Sequence, residues 1–181
     1  IDSGADHADL TDEYAAVPGE LKKICAHFGK RVLREVPEGE FYAALPALRK
    51  EAGDRAVLRA VHIYDENRRV EGQVAALRAG DFDRFLSLIR ASGLSSWRYL
   101  QNVVPAGYKE RQEVALALGL AERLLGGRGA CRVHGGGFAG TIQAFVPLDM
   151  LDAFRTEMDR VLGAGMCHVL TIRPMGGVRL V

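Results

Sequence analysis

The sequence predicts an α+β domain whose sheet is largely antiparallel. Short segments of β-type apolar residues occur at both ends of the chain, two more flank a glycine-rich turn, and the intervals between them carry apolar residues at helical spacing. A chain of 181 residues can bury one sizeable core, or two small ones that share an interface. We therefore expect residues 1–181 to form a single domain.

The composition is that of a soluble globular protein. Apolar residues make up 48% of the chain and charged residues 26%. The 24 Lys and Arg side chains nearly balance the 23 Asp and Glu side chains, so no strong field exists to attract nucleic acid. No apolar run approaches the roughly 20 residues that a membrane helix needs. We predict neither a nucleic-acid nor a membrane partner.

The cysteines and histidines predict no disulfide and no metal site. Cys25, Cys131 and Cys167 are odd in number and far apart, which fits neither a disulfide framework nor a metal clamp. The five histidines show none of the short spacings typical of zinc ligands. These observations favour a reducing, cytoplasmic setting.

The first elements are predicted from local signals. A strand is expected at the start of the chain. A helix is expected to open at residues 17–20, with Pro18 in its first turn, and to end at Gly29. Tyr14 would then lie in the polar turn that precedes this helix, where its side chain could project.

A series of helices follows. Residues 39–50 have helical spacing that Pro46 should divide, and a long helix is predicted to close at Gly80, after an apolar face that includes Val70, Val74 and Leu77. Asp81 caps the next helix, with its apolar residues directed inward. Those residues are Phe82, Phe85, Leu86 and Ile89. The charges at residues 65–69 are interpreted as a solvated face.

The last third contains further helices and strands. Helices are predicted over residues 110–125 and 147–162, and closing strands over residues 168–172 and 178–181. Residues 131–146 are predicted to form a strand, a glycine-rich loop and a second strand. Such a loop can bring its backbone close to a phosphate, although a plain tight hairpin fits the same pattern.

Two stretches resemble a known family. Residues 134–141, His-Gly-Gly-Gly-Phe-Ala-Gly-Thr, resemble the third signature of the small-molecule kinase superfamily named for galactokinase, homoserine kinase, mevalonate kinase and phosphomevalonate kinase. Residues 2–14 resemble the segment that leads to the sugar-contacting tyrosine of the galactokinases. The helix at residues 59–78 also resembles that family in its position. The likeness covers nearly the whole chain, but only the later part of a galactokinase.

The resemblance implies a fold and a function. The fold is the C-terminal domain of the superfamily, similar to a ferredoxin-like plait. The function is that of the C-terminal part of a galactokinase, which transfers the γ-phosphate of ATP, with magnesium, to the anomeric hydroxyl of galactose. By resemblance Tyr14 contacts the sugar, and residues 1–14 end the inter-domain sugar region. The glycine motif near the sugar and the ATP phosphates comprises Gly135, Gly136, Gly137, Phe138, Ala139 and Gly140.

Three points qualify these expectations. A half-buried packing role is the alternative for Tyr14. Ala139 stands where the family usually has glycine, and its methyl group is tolerable only if φ is negative there. The tetrad at residues 93–96, Gly-Leu-Ser-Ser, matches part of the superfamily's phosphate loop but is interpreted as a helix C-cap and turn.

The remaining catalytic signatures of the family are not found in these residues. We therefore expect the chain alone to be inactive, to pair with an N-terminal domain in the complete enzyme, and to self-associate when isolated. Another sugar or small-alcohol kinase of the superfamily, or a regulator that only binds sugar and nucleotide, remains an alternative.

Overall fold

The computed structural model describes residues 1–173 and 175–177. Helices account for most of them. The helices are α1 (Thr11–His27), α2 (Glu38–Ala43), α3 (Leu45–Glu51), α4 (Asp54–Arg78), α5 (Phe82–Ser95), α6 (Glu113–Leu125) and α7 (Leu151–Leu162), and the strands are β1 (Ala130–Val133) and β2 (Ile142–Phe145). None of the helices in these residues combines the length and the apolar character needed to cross a membrane.

Helix α1 begins earlier than predicted. It starts at Thr11, so Pro18 lies inside it and Tyr14 belongs to its first turns. The prediction that the helix opens at Val17, after a polar turn, is wrong. Proline cannot donate to the carbonyl of Tyr14 four residues back, but the packing of both halves of α1 outweighs that lost bond. The helix ends as predicted, with Gly29 at a φ of +63°.

The local signals in the next stretch are confirmed. Pro46 lies in the first turn of α3 and separates it from α2. Helix α4 ends before Gly80, which adopts a φ of +70°. The Asp81 side chain then accepts a hydrogen bond of 2.9 Å from the backbone N–H of Arg84 and caps α5.

The apolar face predicted for the end of α4 is exposed. Leu77 is 53% exposed, and Val70 and Val74 are also largely accessible. Phe82, predicted to face inward from the start of α5, is 53% exposed as well. Helix α5 packs instead against the side of α4 that carries Gly72 and Ala76. Those positions lie about 200° around the helix from the predicted ones. Sequence periodicity identified the helix but not which side α5 would cover.

The sheet is small and antiparallel, which agrees with the predicted α+β class. Strands β1 and β2 pair from Ala130 opposite Phe145 to Val133 opposite Ile142. Residues 1–3 lie beside residues 140–142, but they form one isolated antiparallel bridge, Asp2 opposite Thr141, and not the strand predicted for the start of the chain. The Ile142 N–H donates to the Ile1 carbonyl over 2.9 Å, and the Asp2 N–H donates to the Met166 carbonyl over 2.9 Å.

One predicted closing strand does not form. Residues 168–172 belong to no strand, and Leu170 is 85% exposed. Their β-type composition predicts a strand only where a neighbouring strand offers backbone partners, and none of the described strands lies beside them. The other predicted strand, residues 178–181, lies outside the described residues.

Two main hydrophobic clusters support the fold. The first joins α6 and α7 to the sheet around Leu118, Ile142 and Met158. The second joins α1 to α3 and α4 around Ile24 and Phe41. Of two smaller clusters, one joins α4 and α5 to β1 around Phe85. The other, Leu10 with Phe138 and Ala139, connects the start of α1 to the glycine-rich turn.

The tetrad at residues 93–96 is helical. Helix α5 runs through Ser95 and continues as a π-helical segment, Ser96–Leu100, so the predicted C-cap and turn is wrong. A Cβ on Gly93 would lie 3.0 Å from the carbonyl oxygen of Cys131, which explains why a glycine stands where α5 crosses β1. The tetrad forms no loop that could surround a phosphate.

The charges at residues 65–69 are only partly solvated. Glu66 is enclosed between α4, α5 and β1, and it accepts hydrogen bonds from Ser92, from Arg69 Nε (2.7 Å) and from Arg132 (3.2 Å). Burial alone would raise the pKa of the Glu66 carboxyl, but the hydrogen bonds from Ser92 and Arg69 lower it overall. The prediction of a solvated face is wrong for Glu66.

His62 lies at the buried end of the same network. Its Nδ1 is 2.9 Å from the Ser95 hydroxyl, which also accepts from Arg69 over 2.7 Å. Only 4% of His62 is exposed, and burial lowers the pKa of its imidazole below the usual 6.5 against the opposing effect of Glu66. The ring is therefore neutral in the folded chain near pH 7.

Acid should destabilise the chain through His62. The unfolded imidazole binds a proton at a higher pH than the folded one, so stability is complete above about pH 6.5 and falls as the pH drops toward the lowered pKa. One proton contributes at most about 1.4 kcal/mol per pH unit. Urea unfolding of wild type and His62→Gln between pH 8 and pH 5 measures this. An equally steep loss in both proteins would show that His62 is not responsible.

Candidate functional site

A cleft of about 420 Å³ opens where the N-terminal segment meets the turn between β1 and β2. It contains residues from both segments that resemble the kinase superfamily. The lining residues are His7, Tyr14, His134, Gly135, Gly136, Gly137, Ala139, Gly140 and Thr141. The structure thus brings the predicted site residues together from positions more than 120 residues apart, with Phe138 buried beneath them.

Tyr14 forms one wall of the cleft. Its hydroxyl donates to the Gly137 carbonyl over 2.7 Å and lies 2.8 Å from Nδ1 of His7. Its ring meets Phe138 edge to face, with centroids 5.5 Å apart. Burial raises the pKa of the Tyr14 phenol, so the hydroxyl keeps its proton and remains a donor.

Three glycines of the motif make room for protein atoms. A Cβ on Gly136 would lie 3.0 Å from the Tyr14 ring, one on Gly137 would lie 2.1 Å from the Asn102 carbonyl oxygen, and one on Gly140 would lie 2.8 Å from the His7 ring. Gly135 differs, because nothing lies within 4 Å of the position of its Cβ. Gly135 is therefore where the loop backbone is open to a ligand.

Asn102 holds the loop from behind. Its backbone carbonyl accepts from the Phe138 N–H over 2.5 Å, and its side-chain amide donates to the Gly136 carbonyl over 3.1 Å. Gln101, immediately before it, has a left-handed φ of +56° that turns the chain out of the π-helical segment. Sequence reasoning missed Asn102, and no local pattern marks it because the contact spans 34 residues.

A buried arginine fixes the turn that carries Asn102. Arg59 of α4 is fully buried, and its Nε donates to the Leu100 carbonyl over 3.0 Å. Another guanidinium nitrogen donates to Glu20 of α1 over 2.8 Å. Burial lowers the pKa of Arg59, and the Glu20 carboxylate opposes that shift. The pair ties α1 to the segment behind the glycine loop.

The backbone of the loop explains the departure at residue 139. Among the described residues, Gln101 and Phe138 are the non-glycine residues with positive φ. Ala139 therefore has no left-handed strain, and its buried methyl packs with Leu10. The backbone strain lies instead at Phe138, which has a φ of +59°. The Phe138 ring packs in the same cluster.

The lining supplies hydrogen-bonding groups and no carboxylate. Two imidazoles, a phenol and a threonine hydroxyl surround a backbone turn. In the part of the chain that the structure describes, no group of three or more His, Cys, Asp or Glu side chains is placed to hold a metal ion. This arrangement can bind and orient a polar molecule, but it offers no carboxylate base at the cleft wall.

Substitution of Gly137 should disrupt the loop. An alanine there must keep a φ of +81° and would place its methyl group against the Asn102 carbonyl. We expect Gly137→Ala to lose at least about 2 to 3 kcal/mol of unfolding free energy, from strain and overpacking together. Gly135→Ala is the matched control, because its φ of +69° costs only about 1 to 2 kcal/mol of strain with no clash. Chemical denaturation compares the two, and equal losses would contradict the contact.

Comparisons with known proteins relate the chain to galactokinases. No model of a protein family matches the chain. The galactokinase of Glaesserella parasuis is 30% identical over 155 residues, which are 86% of this chain and 38% of the relative. The galactokinase of Haemophilus influenzae (strain Rd) is 31% identical over 158 residues, with the same two shares. The chain thus spans well under half the length of these relatives.

A solved structure agrees with these relatives. The crystal structure of Lactococcus lactis galactokinase complexed with galactose matches with a TM-score of 0.67 at 25% identity, over 89% of this chain and 40% of that one. The resemblance to the galactokinases is therefore confirmed. In sequence and in fold, the chain is similar to the C-terminal part of the galactokinases, over about two fifths of their length.

Proposed function

We propose that the chain supplies the C-terminal wall of the active site of a galactokinase, which transfers the γ-phosphate of ATP to the anomeric hydroxyl of galactose. One observation carries this proposal. The two segments that resemble the galactokinases line a single cleft, joined by the 2.7 Å hydrogen bond from Tyr14 to Gly137. The identities of about 30% to proteins named galactokinase support it.

In this proposal Tyr14 contacts the sugar. Its hydroxyl already donates to Gly137 and accepts from His7, which leaves one lone pair to accept a hydrogen bond from a sugar hydroxyl. The ring can also pack against the apolar face of a sugar. The packing role considered from the sequence is present as well, through the contact with Phe138.

The glycine loop would face the sugar and the ATP phosphates. The N–H groups of Gly135 and Gly136 donate to no acceptor among the described residues, so they are available to an anion. The described residues offer no cluster of metal ligands, and we assign no magnesium ligand to them. Magnesium, where the complete enzyme uses it, would depend on residues other than these.

We further propose that residues 1–181 form one domain that pairs with the remaining part of the enzyme. The greater length of the relatives supports this. So do the exposed apolar side chains of Leu170 and Ile172, which another surface could cover. Left uncovered, they would promote self-association of the isolated chain.

Substitutions of Tyr14 test its role in the full-length protein. Tyr14→Phe removes one neutral hydroxyl, worth about 0.5 to 1.5 kcal/mol, and should raise the KM for galactose by roughly two- to tenfold. Tyr14→Ala should raise it more, because the ring is also lost. The KM for ATP should change little in both variants. Steady-state kinetics with galactose varied at saturating ATP, and with ATP varied at saturating galactose, provide the measurement beside a thermal melt.

Two results would contradict the proposal in different ways. An unchanged galactose KM in Tyr14→Ala, with a lowered melting temperature, would make Tyr14 a packing residue. A wild-type protein that binds galactose and ATP without forming sugar phosphate would instead favour the regulatory alternative.

A further inference from the structure

His7 is the second side chain at the cleft wall whose hydrogen-bonding role can be assigned. Its Nδ1 lies 2.8 Å from the Tyr14 hydroxyl. Because Tyr14 donates its single hydroxyl hydrogen to the Gly137 carbonyl, the hydrogen in the contact with His7 belongs to Nδ1. In the neutral ring, Nε2 is then the nitrogen without hydrogen and with a free lone pair.

Nε2 lies at the cleft wall beside Gly140. A Cβ on Gly140 would lie only 2.8 Å from Nε2, so the glycine at residue 140 gives the ring its place. Nε2 has no hydrogen-bond partner among the described residues, and the exposed ring lines the cleft. The wall thus presents an oriented hydrogen-bond acceptor.

We propose that His7 is a specificity-determining residue of the sugar site, whose Nε2 accepts a hydrogen bond from one non-anomeric hydroxyl of the bound sugar. This inference rests on the proposed function. A nitrogen lone pair suits a sugar hydroxyl, which donates readily. The hydrogen bond that joins Tyr14 to the glycine loop also fixes the tautomer of His7, so the loop, the tyrosine and the imidazole act as one recognition unit.

Two substitutions test the two ring nitrogens of His7 one at a time. His7→Asn places an amide nitrogen near Nδ1, which preserves the contact with Tyr14 but removes the acceptor at Nε2. His7→Gln reaches the position of Nε2 with an amide oxygen and gives up the contact at Nδ1. His27→Asn is the control for replacing a histidine by asparagine away from the cleft, because His27 pairs with Glu51 at the far end of α1.

The experiment uses the full-length protein with galactose and with analogues that each lack one non-anomeric hydroxyl. In wild type, one analogue should show a KM about two- to tenfold higher than galactose through loss of the bond to Nε2. In His7→Asn the KM for galactose should rise by the same factor, and that analogue should carry no additional penalty. His7→Gln should lose less than His7→Asn, and His27→Asn should behave as wild type.

The outcomes distinguish this inference from the proposed function. Wild-type protein that phosphorylates galactose, with no analogue whose penalty disappears in His7→Asn, overturns the inference alone. A larger loss in His7→Gln than in His7→Asn also overturns it, because His7 would then act only by holding Tyr14. Wild-type protein that does not use galactose overturns the proposed function and this inference together.

Discussion

The cleft depends on one close backbone approach. The carbonyl oxygen of Asn102 occupies the space that a Cβ at residue 137 would need, and from there it accepts the Phe138 N–H. A buried peptide carbonyl left without a partner costs about 1 to 3 kcal/mol, so the contact stabilises both segments. It also compresses the turn between β1 and β2 into a conformation with successive left-handed residues at Gly137 and Phe138.

Helix α1 transmits this constraint to the rest of the structure. Tyr14 reaches the front of the loop, Glu13 accepts from the Ala106 N–H over 2.8 Å, and Glu20 pairs with the buried Arg59. Arg59 in turn holds the Leu100 carbonyl, two residues before Asn102. Tyr14 therefore holds the loop from the front and Asn102 holds it from behind, and the pair of Glu20 with Arg59 ties the segment that carries Asn102 to α1 as well. This explains how a site made largely of glycine backbone can keep a fixed shape.

The sequence was informative where structure depends on neighbouring residues. Gly80 and Asp81 marked the end of one helix and the start of the next. The motif at residues 134–141 identified the glycine loop and the resemblance of the chain to the galactokinases. Prediction failed where distant contacts decide. Pro18 suggested a helix start, yet packing extended α1 back to Thr11 and moved Tyr14 from a turn into a helix. Asn102 carries no local signal, and the exposure of Phe82 depends on which side α5 covers.

The pairing of residues 1–3 with β2 has a consequence for the order of events during synthesis. Ser3 donates to the carbonyl of Gly140, a contact that closes a loop of 137 residues. The cluster around Ile24 and Phe41 uses residues within the first third of the chain and can form while translation continues. The contacts of Ser3 and Tyr14 with the glycine loop can form only after that loop has left the ribosome. The entropy of closing so long a loop slows their formation further. The cleft is thus assembled late, onto helices that are already in place.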